Sequence, residues 1–102
     1  MHSRLDGSVD KSVVLLCNTS LSADIMWTYM YDTNDGYVDY VYWNGHIAAD
    51  KTRLSVKPTG VNVHSLVIDD AEQKDSGLYS CYDGDGLRKV SYQLNIPGMM
   101  FT

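Results

Sequence analysis

The 102-residue chain has few of the residues on which several large classes of protein depend. Only eight residues are lysine or arginine, and just Arg88 and Lys89 are adjacent, so no basic stripe for nucleic acid is present. The three histidines (His2, His46 and His64) show no metal-ligand spacing. No apolar run approaches the length of a membrane span, and no stretch holds a helical period. These absences argue against nucleic-acid binding, a zinc site, a membrane span in this chain and a helical fold.

Catalytic and calcium-binding patterns are also missing. Ser76 and Ser80 have no candidate base nearby in the sequence, so nucleophilic catalysis lacks its essential pair. The run Asp32-Thr33-Asn34-Asp35-Gly36 superficially resembles a calcium loop, but its glycine comes one residue too early and no glutamate follows at the required offset. The net charge of −5 is scattered along the chain, which favours solubility. We therefore expect a protein that is not an enzyme and that uses no cofactor and no metal.

The sequence instead contains short runs of Val, Ile, Tyr and Leu that are separated by turn residues. The predicted strands cover residues 12–18, 25–31, 37–43, 53–56, 65–69, 77–82 and 90–96. In the first strand, Val13, Leu15 and Cys17 share one face. Asn44-Gly45 is a strong hairpin signal and predicts a further edge strand over residues 46–49. The pattern is typical of an all-β sandwich.

The ends of the chain suggest one domain cut from a longer protein. Residues 1–97 are interpreted as a single domain, and residues 98–102, after the last strand, as a C-terminal linker or tail. No signal peptide is visible, and Met1 is interpreted as a start codon placed before a mature ectodomain fragment. A signal sequence and any membrane anchor would then belong to parts of the parent protein outside this chain.

The cysteines bear on the cellular compartment. Cys17 and Cys81 lie too far apart for a local metal knuckle. Their even number and wide spacing suit one structural disulfide in an oxidising compartment, and two free core thiols in a cytosolic protein are the alternative. Asn18-Thr19-Ser20 is an N-glycosylation sequon, which agrees with a secreted context. We expect an extracellular protein, either secreted or the ectodomain of a membrane protein.

Cys17, Trp27 and the run Asp75-Ser76-Gly77-Leu78-Tyr79-Ser80-Cys81 occur in the order and spacing of an immunoglobulin domain. With the extra hairpin strand, residues 13–96 resemble a V-set immunoglobulin domain of the cell-surface receptor and adhesion type. The resemblance implies two antiparallel sheets with Greek-key connections, joined by a Cys17–Cys81 disulfide. It also implies structural roles for Trp27 on the disulfide, for Tyr79 in a tyrosine corner, and for Arg53 paired with Asp75. Two unrelated surface charges are the alternative for that pair.

Two departures separate the chain from rearranged antigen receptors. Only a short turn lies between Cys81 and the last strand, where antigen receptors carry their third hypervariable loop. The Phe-Gly-x-Gly signature of their final strand is also missing. Antigen-receptor-like or innate pattern recognition through the loops therefore remains only as the alternative function.

Seven of the eleven aromatic residues fall between Trp27 and Trp43, more than one core readily absorbs. Exposed Tyr, Trp and Met favour protein interfaces, so an aromatic front sheet is predicted to bind a protein ligand or a second copy of the chain. Its expected contact residues are Met30, Tyr40, Tyr42, Tyr82, Lys89 and Ser91. The alternatives are tyrosines that pack on one another without a partner, and a domain that is only a spacer.

The opposite sheet offers a competing surface. Val14, Leu16 and Val67 are expected to point outward there and to form a small apolar patch. Asn18 is expected to point to the same face as Val14 and Leu16, so a glycan on Asn18 would hinder the docking of a partner on that patch. This favours the aromatic face.

Overall fold

A computed structural model of the chain describes residues 3–18, 25–31, 38–43, 46–48, 53–60, 63–83 and 88–97. Within these ranges the chain forms nine strands and one 3-10 turn. The strands are β1 (Ser3–Asp6), β2 (Val13–Leu15), β3 (Met26–Met30), β4 (Asp39–Trp43), β5 (His46–Ile47), β6 (Leu54–Gly60), β7 (Val63–Ile68), β8 (Gly77–Tyr82) and β9 (Arg88–Asn95), with the turn at Gln73–Asp75. Within the same ranges, no helix is long and apolar enough to cross a membrane.

The strands form two sheets packed as a sandwich. The larger sheet has the order β1-β9-β8-β3-β4-β5 and the smaller has the order β2-β7-β6. All pairings are antiparallel except that of β1 with β9, which is parallel. The predicted all-β, immunoglobulin-like V-type sandwich is confirmed. β1 was not predicted, since Ser-Arg-Leu-Asp holds a single apolar residue and its partner strand lies at the other end of the chain.

Alternating side chains build the core between the sheets. Val13 and Leu15 of β2 are buried, whereas Val14 and Leu16 are exposed. β7 is the central strand of its sheet, and Ser65 and Val67 are buried on its outer side as well. The core consists of Val13, Leu15, Cys17, Ile25, Trp27, Val41, Leu66, Ile68, Ala71, Tyr79, Cys81, Leu94 and Ile96.

A disulfide joins the two sheets through this core. Cys17 follows β2 in the smaller sheet and bonds to Cys81 of β8 in the larger, with their Cα atoms 6.3 Å apart. Trp27 is fully buried and lies directly opposite Cys81 in the β3–β8 pairing. The crosslink restricts the unfolded chain and stabilises the fold by roughly 4 kcal/mol in the chain-entropy picture.

The connection before β8 forms the tyrosine corner. The buried hydroxyl of Tyr79 donates to the carbonyl oxygen of Asp75 at 2.7 Å. Arg53, just before β6, donates Nη1 and Nη2 to the two carboxylate oxygens of Asp75 at 2.8 and 2.9 Å. The Glu72 amide also donates to that carboxylate at 2.8 Å. These bonds hold the end of the sandwich at which β6, β8 and the 3-10 turn meet.

The β4–β5 hairpin is the additional strand pair that distinguishes a V-type sandwich. Trp43 pairs with His46 and Tyr42 pairs with Ile47. The predicted turn at Asn44-Gly45 that joins these strands lies outside the described residues. Residues 32–36, residues 84–86 of the short turn after Cys81, and the expected tail at 98–102 also lie outside the described residues, and the boundary of the tail stays a prediction.

Candidate protein-binding face

The outer face of the six-stranded sheet, here called the front face, begins with the alternation of β3. Trp27 points into the core, so Met26, Thr28 and Met30 point outward. In the pairing of β3 with β8, these three residues lie opposite Tyr82, Ser80 and Leu78 respectively. On the next strand, Ser91 lies opposite Ser80. The front face is therefore assembled from alternate residues of β3, β4, β8 and β9.

A β-bulge in β4 decides which aromatic side chains reach this face. Tyr40 lies opposite the outward-facing Thr28, whereas Tyr42 lies opposite the inward-facing Trp27. The extra residue between them, Val41, is buried, and Tyr42 packs against the core. The outward side chains of β4 are consequently Tyr40 and Trp43.

The prediction that Tyr42 is a front-face contact residue is therefore wrong. It assumed that side chains alternate between the two faces along the whole of β4. The bulge at Val41 interrupts this alternation, so the residues after it point to the opposite face from the one expected. Trp43, which the sequence reasoning left out of the contact set, takes the exposed position. The sequence offered no local signal for the bulge, because all four residues from Tyr40 to Trp43 are apolar or aromatic and the strand shows no alternation there.

The centre of the front face is recessed and polar. Thr28, Ser80 and Ser91 point outward, yet only 6%, 5% and 3% of their surfaces are accessible. Ser80 Oγ and Ser91 Oγ are 2.9 Å apart and hydrogen-bonded, so these buried hydroxyls have a partner within the domain. Ser91, an expected contact residue, lies on the predicted face but is almost covered by its neighbours.

Large side chains surround this centre. Tyr40 and Trp43 expose 59% and 61% of their surfaces, and Met26 lies beside them. These three residues line a shallow depression of about 400 Å³. Met30 and Tyr82, both expected contact residues, are half-buried on the same face. Lys89 belongs to β9, but its side chain lies outside the described part of the structure.

Several other tyrosines have structural contacts. The Tyr29 hydroxyl donates to the carbonyl oxygen of Ser76 at 2.6 Å, and its ring packs on Tyr79 with centroids 4.9 Å apart. Burial raises the pKa of Tyr29 to about 12, and the nearby Asp75 carboxylate acts in the same direction. Tyr92 packs beside Trp27, and its hydroxyl donates to the carbonyl oxygen of Leu16 at 2.6 Å. These rings contribute to the fold, whereas Tyr40 and Trp43 are mostly exposed.

The opposite, three-stranded sheet presents a narrower apolar patch than expected. Val14 and Leu16 are exposed, but Val67 keeps only 7% of its surface accessible because it lies on the central strand. Asn18 is exposed and forms an isolated bridge with Val63.

Among the residues that the structure describes, no group of three or more His, Cys, Asp or Glu side chains could hold a metal ion.

The two packed sheets, the buried Cys17–Cys81 disulfide with Trp27 beside it, the tyrosine corner and the β4–β5 hairpin together define the class of this domain. The chain has the fold of a V-type immunoglobulin domain.

Comparison with known proteins agrees with this class. The human T cell receptor beta variable 7-2 is 30% identical over 76 residues, which span 70% of this chain and 66% of that protein. No protein-family model matches the sequence.

Solved structures of immunoglobulin domains share the fold at low identity. The first immunoglobulin domain of the mouse polymeric immunoglobulin receptor superposes with a TM-score of 0.78 and 18% identity, over 99% of this chain and 95% of that one. The ZIG-8–RIG-5 IG1-IG1 heterodimer gives a TM-score of 0.75 and 21% identity, over 95% and 83% of the two chains. The ZIG-8 IG1 homodimer gives 0.71 and 22%, over 94% and 81%.

Proposed function

We propose that this domain is an extracellular recognition module that binds another immunoglobulin-type domain, with a second copy of itself as the first candidate, through the front face. The observation that carries the proposal is the exposure of Tyr40 and Trp43 beside Met26 on a sheet face over which no described element packs. Aromatic residues and methionine are enriched at protein interfaces, where they bury a large area at small entropic cost.

The recessed centre of the face supports the same function. Because Ser80 and Ser91 bond to each other, each hydroxyl keeps one hydrogen-bond partner when another protein covers them. The surrounding Met26, Tyr40, Met30 and Tyr82 would then supply the apolar contact. A polar centre with an internal hydrogen bond, surrounded by aromatic and methionine side chains, can form a specific interface without large rearrangement.

The comparisons support a partner of similar fold. Two of the solved neighbours are described as an immunoglobulin-domain heterodimer and a homodimer. Pairing of one sandwich with another suits a broad, shallow surface better than capture of a small molecule, for which an enclosed pocket is usual. The disulfide and the receptor-type relative support an extracellular location, and the same relatives support a non-enzymatic role.

Recognition through the loops is the alternative, and the similarity to a T cell receptor beta variable segment favours it. Against it, only residues 83–87 connect β8 to β9, and Asp83 among them is buried. This connection is too short to form the long variable loop that antigen receptors use. The other candidate loop, residues 32–37, lies outside the described residues.

The test compares the unmodified domain with two variants in solution. Sedimentation velocity over a wide concentration range should show reversible self-association that Trp43→Glu weakens by roughly thirtyfold, the size of a hot-spot effect. Tyr31→Glu is the matched control, because Tyr31 is also an exposed aromatic residue but lies at the end of β3 near Gln73 and Pro97. It should associate like the unmodified domain.

Three other results would change the assignment. A domain that stays monomeric at the highest soluble concentration excludes the second copy as partner. Association that resists Trp43→Glu but is lost on changing residues 32–36 would support the loop alternative. If neither Trp43→Glu nor changes in residues 32–36 affect self-association or binding to cells, the domain is a spacer.

A further inference from the structure

Strand β2 brings an exposed apolar pair and the sequon asparagine onto one surface. The β2–β7 pairing keeps a single register from Val13 opposite Ile68 to the bridge of Asn18 opposite Val63. Side chains alternate along an extended chain, so Val14, Leu16 and Asn18 project from the same outer face, roughly 7 Å apart in succession. All three are exposed.

The same strand is an edge of its sheet among the described residues. An exposed edge strand with apolar side chains invites pairing with another chain, and proteins usually cover or charge such edges. No charged side chain occupies β2 itself, which reads Val-Val-Leu. Among the described residues, this edge therefore lacks a covering strand and has no charged side chain on β2.

We propose that Asn18 carries an N-linked glycan and that the first sugars of this glycan cover Val14 and Leu16, which blocks the edge at β2. Asn18 is the first residue of the sequon Asn18-Thr19-Ser20. Because the sugar is attached on the face and strand that carry both apolar side chains, it lies over them. The front face on the other sheet stays open, and in this respect the inference rests on the proposed function.

The modification follows the ordinary chemistry of N-glycosylation. The side-chain amide nitrogen of Asn18 attacks the anomeric carbon of N-acetylglucosamine in a lipid-diphosphate-linked oligosaccharide of the secretory pathway. The nitrogen–carbon bond forms, the bond from that carbon to the phosphate oxygen breaks, and the lipid diphosphate leaves. The amide gives up one proton, and no oxidant or reductant takes part.

Occupancy of the site is tested first. The domain is secreted from a mammalian host and its intact mass is measured before and after treatment with peptide-N-glycosidase F. The expected result is a glycan mass that the enzyme removes and that is missing from Asn18→Gln and Ser20→Ala. Secreted protein with no glycan mass would overturn the proposal.

The covering role is tested by self-association. Enzymatically deglycosylated protein and Asn18→Gln should associate at about tenfold lower concentration than the glycosylated form. The added association should disappear in Asn18→Gln/Leu16→Ser but persist in Asn18→Gln/Trp43→Glu. The comparison with enzymatically deglycosylated protein does not depend on whether any variant folds, because that protein is prepared from the folded glycoprotein.

Two outcomes contradict the covering role. One is equal association of the glycosylated and deglycosylated forms. The other is added association that Trp43→Glu removes and Leu16→Ser does not, which would place it on the front face. Failure of the proposed function gives a different result. In that case the fully glycosylated Trp43→Glu variant self-associates as strongly as the glycosylated unmodified domain.

Discussion

Arg53 holds both carboxylate oxygens of Asp75, with N–O distances of 2.8 and 2.9 Å, across the end of the sandwich. Arg53 Nη1 also donates to the carbonyl oxygen of Asp70 at 3.0 Å, and Arg53 Nε lies 3.3 Å from a carboxylate oxygen of Glu72. One guanidinium therefore ties the start of β6 to the connection before β8. Its partner Asp75 is buried, so the pair stabilises more than a surface contact does.

Replacing Asp75 with asparagine should lower the free energy of unfolding by about 3 kcal/mol, because the guanidinium then loses its buried charged partner and keeps only the more exposed Glu72. Urea denaturation monitored by tryptophan fluorescence measures the change. Arg4→Ala is the control, since the Arg4–Asp6 pair is exposed and its loss should cost less than about 1 kcal/mol. Equal effects of the two variants would contradict a special role for Asp75.

The same pair predicts a loss of stability in acid. Burial alone would raise the pKa of Asp75, but hydrogen bonds from Arg53 and from the Glu72 amide outweigh it and hold the pKa below its ordinary value of 3.8. Because the folded pKa is lower than the unfolded one, the stabilisation is complete above that ordinary value and is lost as the pH falls through the folded pKa.

Urea midpoints measured from neutral pH down to pH values below 3.8 test this expectation. The midpoint should fall with acid in the unmodified domain and fall less steeply in Asp75→Asn, which has no carboxylate at that site. Parallel curves for the two proteins would show that other groups cause the acid sensitivity.

The β-bulge in β4 predicts opposite behaviour of two neighbouring aromatic residues. Tyr42→Glu places a charge against the core opposite Trp27 and should destabilise the fold by about 2–3 kcal/mol. Trp43→Glu alters an exposed position and should change stability by about 0.5 kcal/mol or less. Thermal unfolding followed by circular dichroism measures both changes. Equal melting temperatures of the two variants would contradict the assignment of Tyr42 to the inner face and Trp43 to the outer face.

The backbone conformation of Gly77 predicts a further effect on stability. Its φ of +149° is rarely adopted by residues with a side chain, and an added Cβ would lie 2.6 Å from Tyr29 Cε1 and 2.9 Å from the Met30 carbonyl oxygen. Gly77→Ala should therefore cost about 2 kcal/mol or more.

A double-variant cycle separates the two causes. In a Tyr29→Ala background the Gly77→Ala cost should decrease, since the ring contact is gone. It should not vanish, because the backbone strain and the Met30 contact remain. An additive cycle, with the same cost in both backgrounds, would show that the Tyr29 ring is not the obstacle.

The features foreseen from the sequence depend on spacing and on strong local preferences. The positions of Cys17, Trp27 and Cys81 predicted the sandwich, and the alternation of β2 predicted which of its residues are buried. The alternation of β2 is local, because it acts between neighbouring residues of a single strand. β1 could not be found in this way, since its pairing with β9 depends on contacts between the two ends of the chain.

The candidate site was predicted less completely. The sequence indicated a surface rich in aromatic residues but assigned Tyr42 to it and left out Trp43. It also did not show that Ser91 is covered or that Val67 is shielded on the opposite sheet. Each of these outcomes depends on how neighbouring strands lie beside one another.

The amino-acid sequence by itself determined the class of fold, because residue spacing and alternation act within single strands and within the cysteine frame. Only the tertiary structure decided which side chains a partner can reach. The shift in pairing from Trp27–Tyr42 to Thr28–Tyr40 exists only between two strands. That one-residue bulge turns Tyr42 toward the core, where it is partly buried, and leaves Tyr40 and Trp43 on the front face.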